Sequence, residues 1–223
     1  MSTVSPFQVD LSDTPYWRTV EKHGGWHRFA CKLLARQVLD DYGIDKGLCL
    51  DLGCGLGWFG IELAKLTDLE VLLVDIDRDK LLKARENALK EKVRGRVSLL
   101  LVDAHHLPFR DRTMSLIVCR GAVFFWRRPD KAFKEVYRVM KPGAVGFLGG
   151  AIGRYMPSGL RARIIEVVKR EVRKLGAEKE REWWRRRTPG WLTKWLDKAG
   201  VDGFRFIPDP PGIWVEIRKG RCP

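Results

Sequence analysis

Long apolar runs are missing. Nowhere in the 223 residues does an uninterrupted hydrophobic stretch approach the roughly 18 residues a membrane-spanning helix needs. Met1 to Asp13 carries Ser, Thr and Asp where a secretory leader has a basic start and an apolar stretch. The expectation is a cytoplasmic chain. Paired cysteines are missing too: the five (Cys31, Cys49, Cys54, Cys119, Cys222) are an odd set without a Cys-x-x-Cys spacing, three of them in apolar, strand-like surroundings. That suits reduced core thiols and not a disulfide framework. With only four histidines, not arranged into a cluster with those cysteines, no bound metal is expected. Low-complexity linkers and internal repeats are absent, which argues for one core.

What the chain has in excess is positive charge. Its formal net charge is +14, and residues 151–223 hold 18 basic against 9 acidic side chains, most of the excess. Such a bias attracts nucleic acid, an anionic membrane surface or an acidic substrate, and it also marks the highly charged surfaces of heat-adapted proteins.

Along the chain, Trp26 to Tyr42 has apolar residues at helical spacing and ends at Gly43. An alternation follows: strand Leu48–Leu52, helix Trp58–Leu66, strand Glu70–Asp75, helix Asp79–Glu91, strand Val97–Val102, strand Met114–Arg120, helix Pro129–Met140, strand Ala144–Leu148. Short, mostly apolar strands separated by amphipathic helices predict βαβ crossovers and a doubly wound α/β fold. Pro157 to Arg187 then reads as one or two charged helices with Gly176 as a break, Pro189–Lys198 as a helix, and Gly203–Ile207 and Gly212–Arg218 as strands around the Asp209-Pro210-Pro211-Gly212 turn. The last two strands are close enough to pair as an antiparallel hairpin.

The densest chemical signal is Asp51-Leu52-Gly53-Cys54-Gly55-Leu56-Gly57, where a strand gives way to a helix. Glycines at such a bend allow close backbone approach to a ligand, and the helix N-terminus behind them offers free N–H groups. Gly55-x-Gly57-x-x-Gly60 with Asp75 about twenty residues on also fits the dinucleotide fingerprint. Asp51 separates the two options. A carboxylate just before the first glycine opposes a pyrophosphate and suits a ligand bearing an ammonium and a sulfonium.

The Asp-x-Gly-x-Gly-x-Gly spacing resembles motif I of the class I S-adenosylmethionine-dependent methyltransferases, and the resemblance runs in order over about residues 45–150. Leu72-Leu73-Val74-Asp75-Ile76-Asp77 is similar to the second-strand motif, whose acid binds both ribose hydroxyls, leaving Asp77 as a helix cap. Val102-Asp103-Ala104-His105-His106-Leu107-Pro108-Phe109 is similar to the adenine-binding segment, with Asp103 and Ala104 in the contacting places. Ser115 to Gly121 resembles the fourth strand, and Tyr137 to Ala144 the Lys-Pro-Gly turn before the fifth. The resemblance, to the UbiE-like small-molecule branch, implies a Rossmann-like, mostly parallel seven-stranded sheet. It implies S-adenosylmethionine as cofactor, S-adenosylhomocysteine as product, and cofactor contacts from Asp51, Gly53, Cys54, Gly55, Gly57, Asp75, Ile76, Asp103, Ala104 and Arg120. Residues 1–45 would then form an N-terminal helical cap, 46–150 the cofactor-binding core, 151–200 a basic helical insertion or lid, and 201–223 a strand pair completing the sheet.

The acceptor is less defined. No Asn/Asp-Pro-Pro-Tyr motif follows strand four, where Arg120-Gly121-Ala122-Val123 stands instead, and nothing marks Cys119 as an attacking thiolate. Tyr16, His23, His27 and Arg120 are candidate catalytic groups, and Tyr16, Trp17, Phe124, Phe125 and Trp126 candidate pocket walls. Gly146, Gly149 and Gly150 open strand five to a close approach by substrate. Three readings stay open: a small-molecule methyltransferase, an RNA (tRNA or rRNA) methyltransferase gripping phosphates through Arg185, Arg186 and Arg187, and a non-catalytic cofactor- or partner-binding domain. The oligomeric state is left open.

Overall fold

The computed structural model describes residues 25–220. Seven strands form one sheet in the order β3-β2-β1-β4-β5-β7-β6. They are β1 (Lys46–Leu52), β2 (Asp68–Asp75), β3 (Val97–Leu101), β4 (Met114–Arg120), β5 (Met140–Gly149), β6 (Phe204–Asp209) and β7 (Gly212–Arg218). The first five are parallel, and β7 runs antiparallel to both β5 and β6.

The helices are α1 (Trp26–Tyr42), α2 (Trp58–Leu66), α3 (Arg78–Lys90), α4 (Pro129–Val139), α5 (Ser158–Arg173), α6 (Ala177–Arg185) and α7 (Pro189–Lys198). Their ends follow local chemistry. Gly43 closes α1 in the left-handed conformation, Asp77 caps α3 by accepting from the Asp79 and Lys80 amides, and Gly176 separates α5 from α6. Thr188 accepts from the Trp191 amide ahead of Pro189, a residue suited to the first helical turn.

Strand side chains alternate between two cores. Leu50, Ile117, Cys119 and Leu148 pack with α4 and α7 on one face, and Cys49, Leu116, Val118 and Phe147 with α1, α2 and α3 on the other. A third cluster joins Phe29, Ala30 and Leu33 of α1 to Leu160 and Ile164 of α5.

The anticipated lid is shorter than residues 151–200. Trp191, Leu192 and Leu196 sink into the main core, so α7 is an ordinary covering helix of the sheet, and the charged insertion proper is α5 and α6. Residues of α6 are nowhere buried. Among the described residues no helix is long and apolar enough to cross a membrane.

Candidate cofactor and acceptor site

The chain runs outward from β1 to β2 and β3, then returns to place β4 on the other side of β1. This reversal opens a crevice at the carboxyl ends of the strands, where a ligand binds in open α/β sheets. Asp51 and Asp75 end neighbouring strands, Asp103 lies two residues past β3, and Arg120 ends β4. Residues far apart in sequence thus line one rim.

The glycine loop is fastened to this rim by its own amides. Gly53 and Cys54 donate to the Val74 carbonyl, and Gly55 donates to Asp75 Oδ2 at 2.8 Å, while Asp75 Oδ1 accepts from the Asp77 amide. Each carboxylate oxygen keeps a lone pair for a diol. Gly53 has φ +70°, and a Cβ there would lie 2.3 Å from the Ala122 methyl; Gly55 has φ +55° and faces open space. One glycine therefore lets the turn after β4 pack against the loop, and the other keeps backbone bare toward the crevice. Cys54 holds its thiol against the Gly55 carbonyl, and burial raises that thiol far above its ordinary range, which leaves the backbone as its contribution.

Asp51 is almost wholly buried and accepts from the Gly60 amide at 2.8 Å. Burial outweighs that hydrogen bond, and the nearby Asp75 charge adds to it, so the Asp51 carboxyl is pushed up to about 7. A cation in the crevice would favour its ionised form. Asp103 is 44% exposed at its side chain and accepts from the amide and ring of His105, whose Nε2 in turn accepts from the Arg128 amide at 3.2 Å. Partial burial opposes the shift, but the His105 hydrogen bonds hold the Asp103 carboxyl below its ordinary value. His105 thereby pins the segment after β3 to the loop after β4, a packing role. Ala104 is buried beside it, and Ile76, 71% exposed, offers an apolar surface on the rim.

Arg120 is held on two sides. Its Nε donates to the Ala151 carbonyl, its Nη1 to His27 Nδ1 at 3.1 Å, and its guanidinium lies near the Trp26 ring. Desolvation and then the Arg120 charge lower His27 to about 4, so its imidazole stays neutral with the Nδ1 lone pair engaged. Tyr16, Trp17 and His23 lie outside the described residues.

The supposed aromatic wall after β4 divides. Phe124 is fully buried and Trp126 nearly so, packed edge-on to Phe133, because a short 3-10 turn (Ala122–Phe125) directs both rings into the core; only Phe125, 61% exposed, faces outward. The glycines of strand five do not open toward a substrate either. A Cβ on Gly149 would sit 2.2 Å from the Ile213 carbonyl oxygen, and one on Gly150 2.7 Å from the Phe124 ring, so these positions serve close packing against β7 and the turn after β4.

Arg185, Arg186 and Arg187 are each engaged within the chain. Arg185 and Arg186 both pair with Glu182, Arg186 also donates to the Phe124 carbonyl, and Arg187 lies among the rings of Phe124, Phe125 and Trp183. Nothing in the sequence marked this docking of α6 on the turn after β4, since the two segments are some sixty residues apart. A separate cavity of about 520 Å³ lies between α1 and the β6–β7 turn, and its arginines are ion-paired to Asp41, Asp209 and Glu216. No residue of the glycine loop lines it.

A methyltransferase-domain family model matches residues 49–143, the stretch that carries the rim. The solved structure of a protein from Methanococcus maripaludis, provisionally assigned as an S-adenosyl-L-methionine-dependent methyltransferase, superposes with a TM-score of 0.77 at 27% identity, covering 92% of this chain and 91% of that one. The chain carries a methyltransferase domain. Among curated relatives, it is 32% identical over 124 residues to the ubiquinone/menaquinone biosynthesis C-methyltransferase UbiE of Haemophilus ducreyi, covering 54% of this chain and 45% of that protein. It is 41% identical over 101 residues to the demethylmenaquinone methyltransferase of Lactiplantibacillus plantarum, covering 43% of this chain and 41% of that protein. The chain thus spans less than half the length of these curated relatives.

Proposed function

We propose that the chain binds S-adenosylmethionine at the rim of β1, β2 and β3 and transfers its methyl group to a small-molecule acceptor held between the turn after β4 and the α5–α6 insertion. The observation that carries this is the convergence of Asp51, the bare backbone at Gly55, Asp75 and Asp103 on one crevice. The donor set suits the cofactor. Asp51 meets cationic groups, Asp75 has lone pairs for a diol, and the exposed Asp103 carboxylate can accept from an exocyclic amine, while nothing at the glycine loop is built to neutralise a pyrophosphate.

The cofactor would supply an electrophilic methyl group on a sulfonium. The chain's own residues bind and orient: Gly55 leaves room, the Arg120–His27 pair closes the far end of the crevice, and Phe125 presents an apolar face to the acceptor. His27 is too weak a base, with its Nδ1 already engaged, to take a proton from an ordinary alcohol. An acceptor that is already electron-rich, such as an aromatic diol, therefore fits better than an unactivated alcohol. Two curated relatives are a ubiquinone/menaquinone biosynthesis C-methyltransferase and a demethylmenaquinone methyltransferase, so a naphthoquinol is the first acceptor to screen.

The test is calorimetric binding of S-adenosylmethionine to the wild type and to Asp75→Ala and Asp51→Ala, followed by methyl transfer from labelled cofactor to naphthoquinols and to total RNA. Normal affinity in both variants removes the cofactor assignment. Labelling of RNA alone transfers the function to nucleic acid, and tight cofactor binding without any transfer favours a non-catalytic domain.

A further inference from the structure

Arg187 is an unusual cation. Its Cζ lies 3.5 Å from the Trp183 ring centroid, 4.3 Å from Phe124 and 6.0 Å from Phe125, so aromatic rings cover the faces of the guanidinium. Of its five N–H donors, one reaches the Trp183 carbonyl, and among the described residues no carboxylate pairs with it. Desolvation and the neighbouring Arg186 push it down to about 9. A partly buried cation without a counter-charge is costly to keep, whereas every other arginine docking α6 shares Glu182. The only side-chain nitrogens among the described residues that are sealed from water and lack a partner are the indole nitrogens of Trp183 and Trp195. The free edge of the Arg187 guanidinium is therefore open to a ligand.

Its position is equally specific. Phe124, beneath the guanidinium, packs on Gly150, and Ala122 of the same turn packs on Gly53 of the cofactor loop. Arg187 thus stands over the same turn whose Ala122 contacts the cofactor loop, with the exposed Phe125 ring edge-on to Trp183 at 5.6 Å.

Resting on the methyltransferase reading above, we propose that the Arg187 guanidinium, framed by Trp183 and Phe125, binds the anionic oxygen of an aromatic acid or phenolate acceptor and so sets both the class of the acceptor and its orientation toward the cofactor. The aromatic frame fixes the plane of the guanidinium, and its edge offers the paired donors that match a carboxylate. The planar body of the ligand then lies along Phe125. Arg187 acts here as a specificity-determining residue; it moves no proton.

The probe is 2-naphthoate, with the uncharged 2-naphthalenemethanol as its control, titrated calorimetrically into the protein holding S-adenosylhomocysteine. Wild type should bind 2-naphthoate at least tenfold more tightly than the alcohol. Arg187→Met should abolish that preference, and Arg187→Lys should recover part of it, since the charge returns without the planar fork. The alcohol should bind wild type and both variants alike. S-adenosylhomocysteine affinity, measured in the same samples, should stay within about twofold, and a matching far-ultraviolet spectrum shows that α6 is still formed. Equal binding of acid and alcohol by the wild type overturns the proposal, as does a charge preference that survives Arg187→Met. No detectable binding of 2-naphthoate overturns it as well. Loss of S-adenosylhomocysteine binding by the wild type would instead sink the methyltransferase reading itself, so the two failures are distinct.

Discussion

Arg120 Nη1 donates to His27 Nδ1 across 3.1 Å, tying the end of β4 to the first turn of α1. Because arginine only donates, this bond needs the neutral imidazole with its proton on Nε2. The pair joins the sheet to the helical cap, and it dictates an acid response. An unfolded histidine takes up a proton near pH 6.5, but folded His27 resists until about pH 4. The unfolded chain therefore binds more protons in that window, and stability falls as pH drops through it. Urea unfolding at pH 7, 6 and 5 should show this loss, and His27→Gln should make the decline shallower. An identical slope in the variant would refute the assignment.

Asp51 predicts the opposite sign for the empty protein. Its folded pKa of about 7 lies above its ordinary value of 3.8, so the native state holds the extra proton and the stability this contributes is lost as pH rises toward 7. A bound ammonium and sulfonium favour the carboxylate, so cofactor binding should release a proton and tighten as pH rises through neutrality. Calorimetry in buffers of different ionisation enthalpy measures that proton directly. Asp51→Asn should bind weakly and without the pH dependence; a wild-type affinity that is flat from pH 6 to 8 would contradict the coupling.

Two glycines of one loop should fail differently. Gly53→Ala sets a methyl 2.3 Å from Ala122 at φ +70°, so the turn after β4 must move, with a cost above the roughly 1–3 kcal/mol of left-handed strain alone. Melting temperature should fall markedly. Gly55→Ala meets no protein atom within 4 Å, so it should carry only the strain and instead lose cofactor affinity, about tenfold or more, through a methyl intruding on the crevice. Thermal melts paired with S-adenosylmethionine titrations separate the two, and equal effects in both assays would show that Gly55 does not face the ligand.

Adjacent phenylalanines should also part ways. Phe124→Ala empties a fully buried site and should cost about 3–5 kcal/mol, whereas Phe125→Ala, at an exposed position, should change stability by less than about 1 kcal/mol. Once an acceptor is in hand, Phe125→Ala should raise its KM while leaving cofactor affinity alone. An unchanged KM would remove Phe125 from the acceptor wall.

The arginine run offers a check on nucleic-acid binding. Arg185 and Arg186 already share Glu182, and Arg187 lies against aromatic rings. Arg185→Gln with Arg186→Gln should therefore leave any low-salt binding of bulk tRNA nearly unchanged, by filter retention across 50–200 mM salt, about the range over which phosphate contacts are screened out. A flattened salt dependence in the double variant would return these residues to an RNA interface.

Much of the molecule could be read before any coordinates. Strands β4 and β7 and helices α1, α2 and α7 lie where the sequence pattern puts them, because the parallel strand β4, covered on both faces, is mostly apolar, the antiparallel β7 starts at Gly212 of its turn, and α1, α2 and α7 carry their own stop or start signals at Gly43, Gly57 and Thr188. The spacing of Asp51, the glycines, Asp75 and Asp103 was also legible, since each sits within a few residues of a strand end and the crossover rule carries all strand ends to one edge.

What tertiary structure alone decided is which side chains face one another across long stretches of chain. Periodicity has no purchase on a four-residue turn, so it could not tell the outward Phe125 from the buried Phe124 and Trp126. The glycines of β5 looked like an opening and are filled by β7 and Phe124, because the antiparallel return of the last strand exists only once the sheet is assembled. The sequence groups residues 151–200 as one basic helical insertion. Folding splits it into α7, which joins the core, and α6, whose Glu182 shares two arginines and leaves the third among aromatic rings. A charge count fixes the sign of a segment, but only the packing fixes which charge is left without a partner.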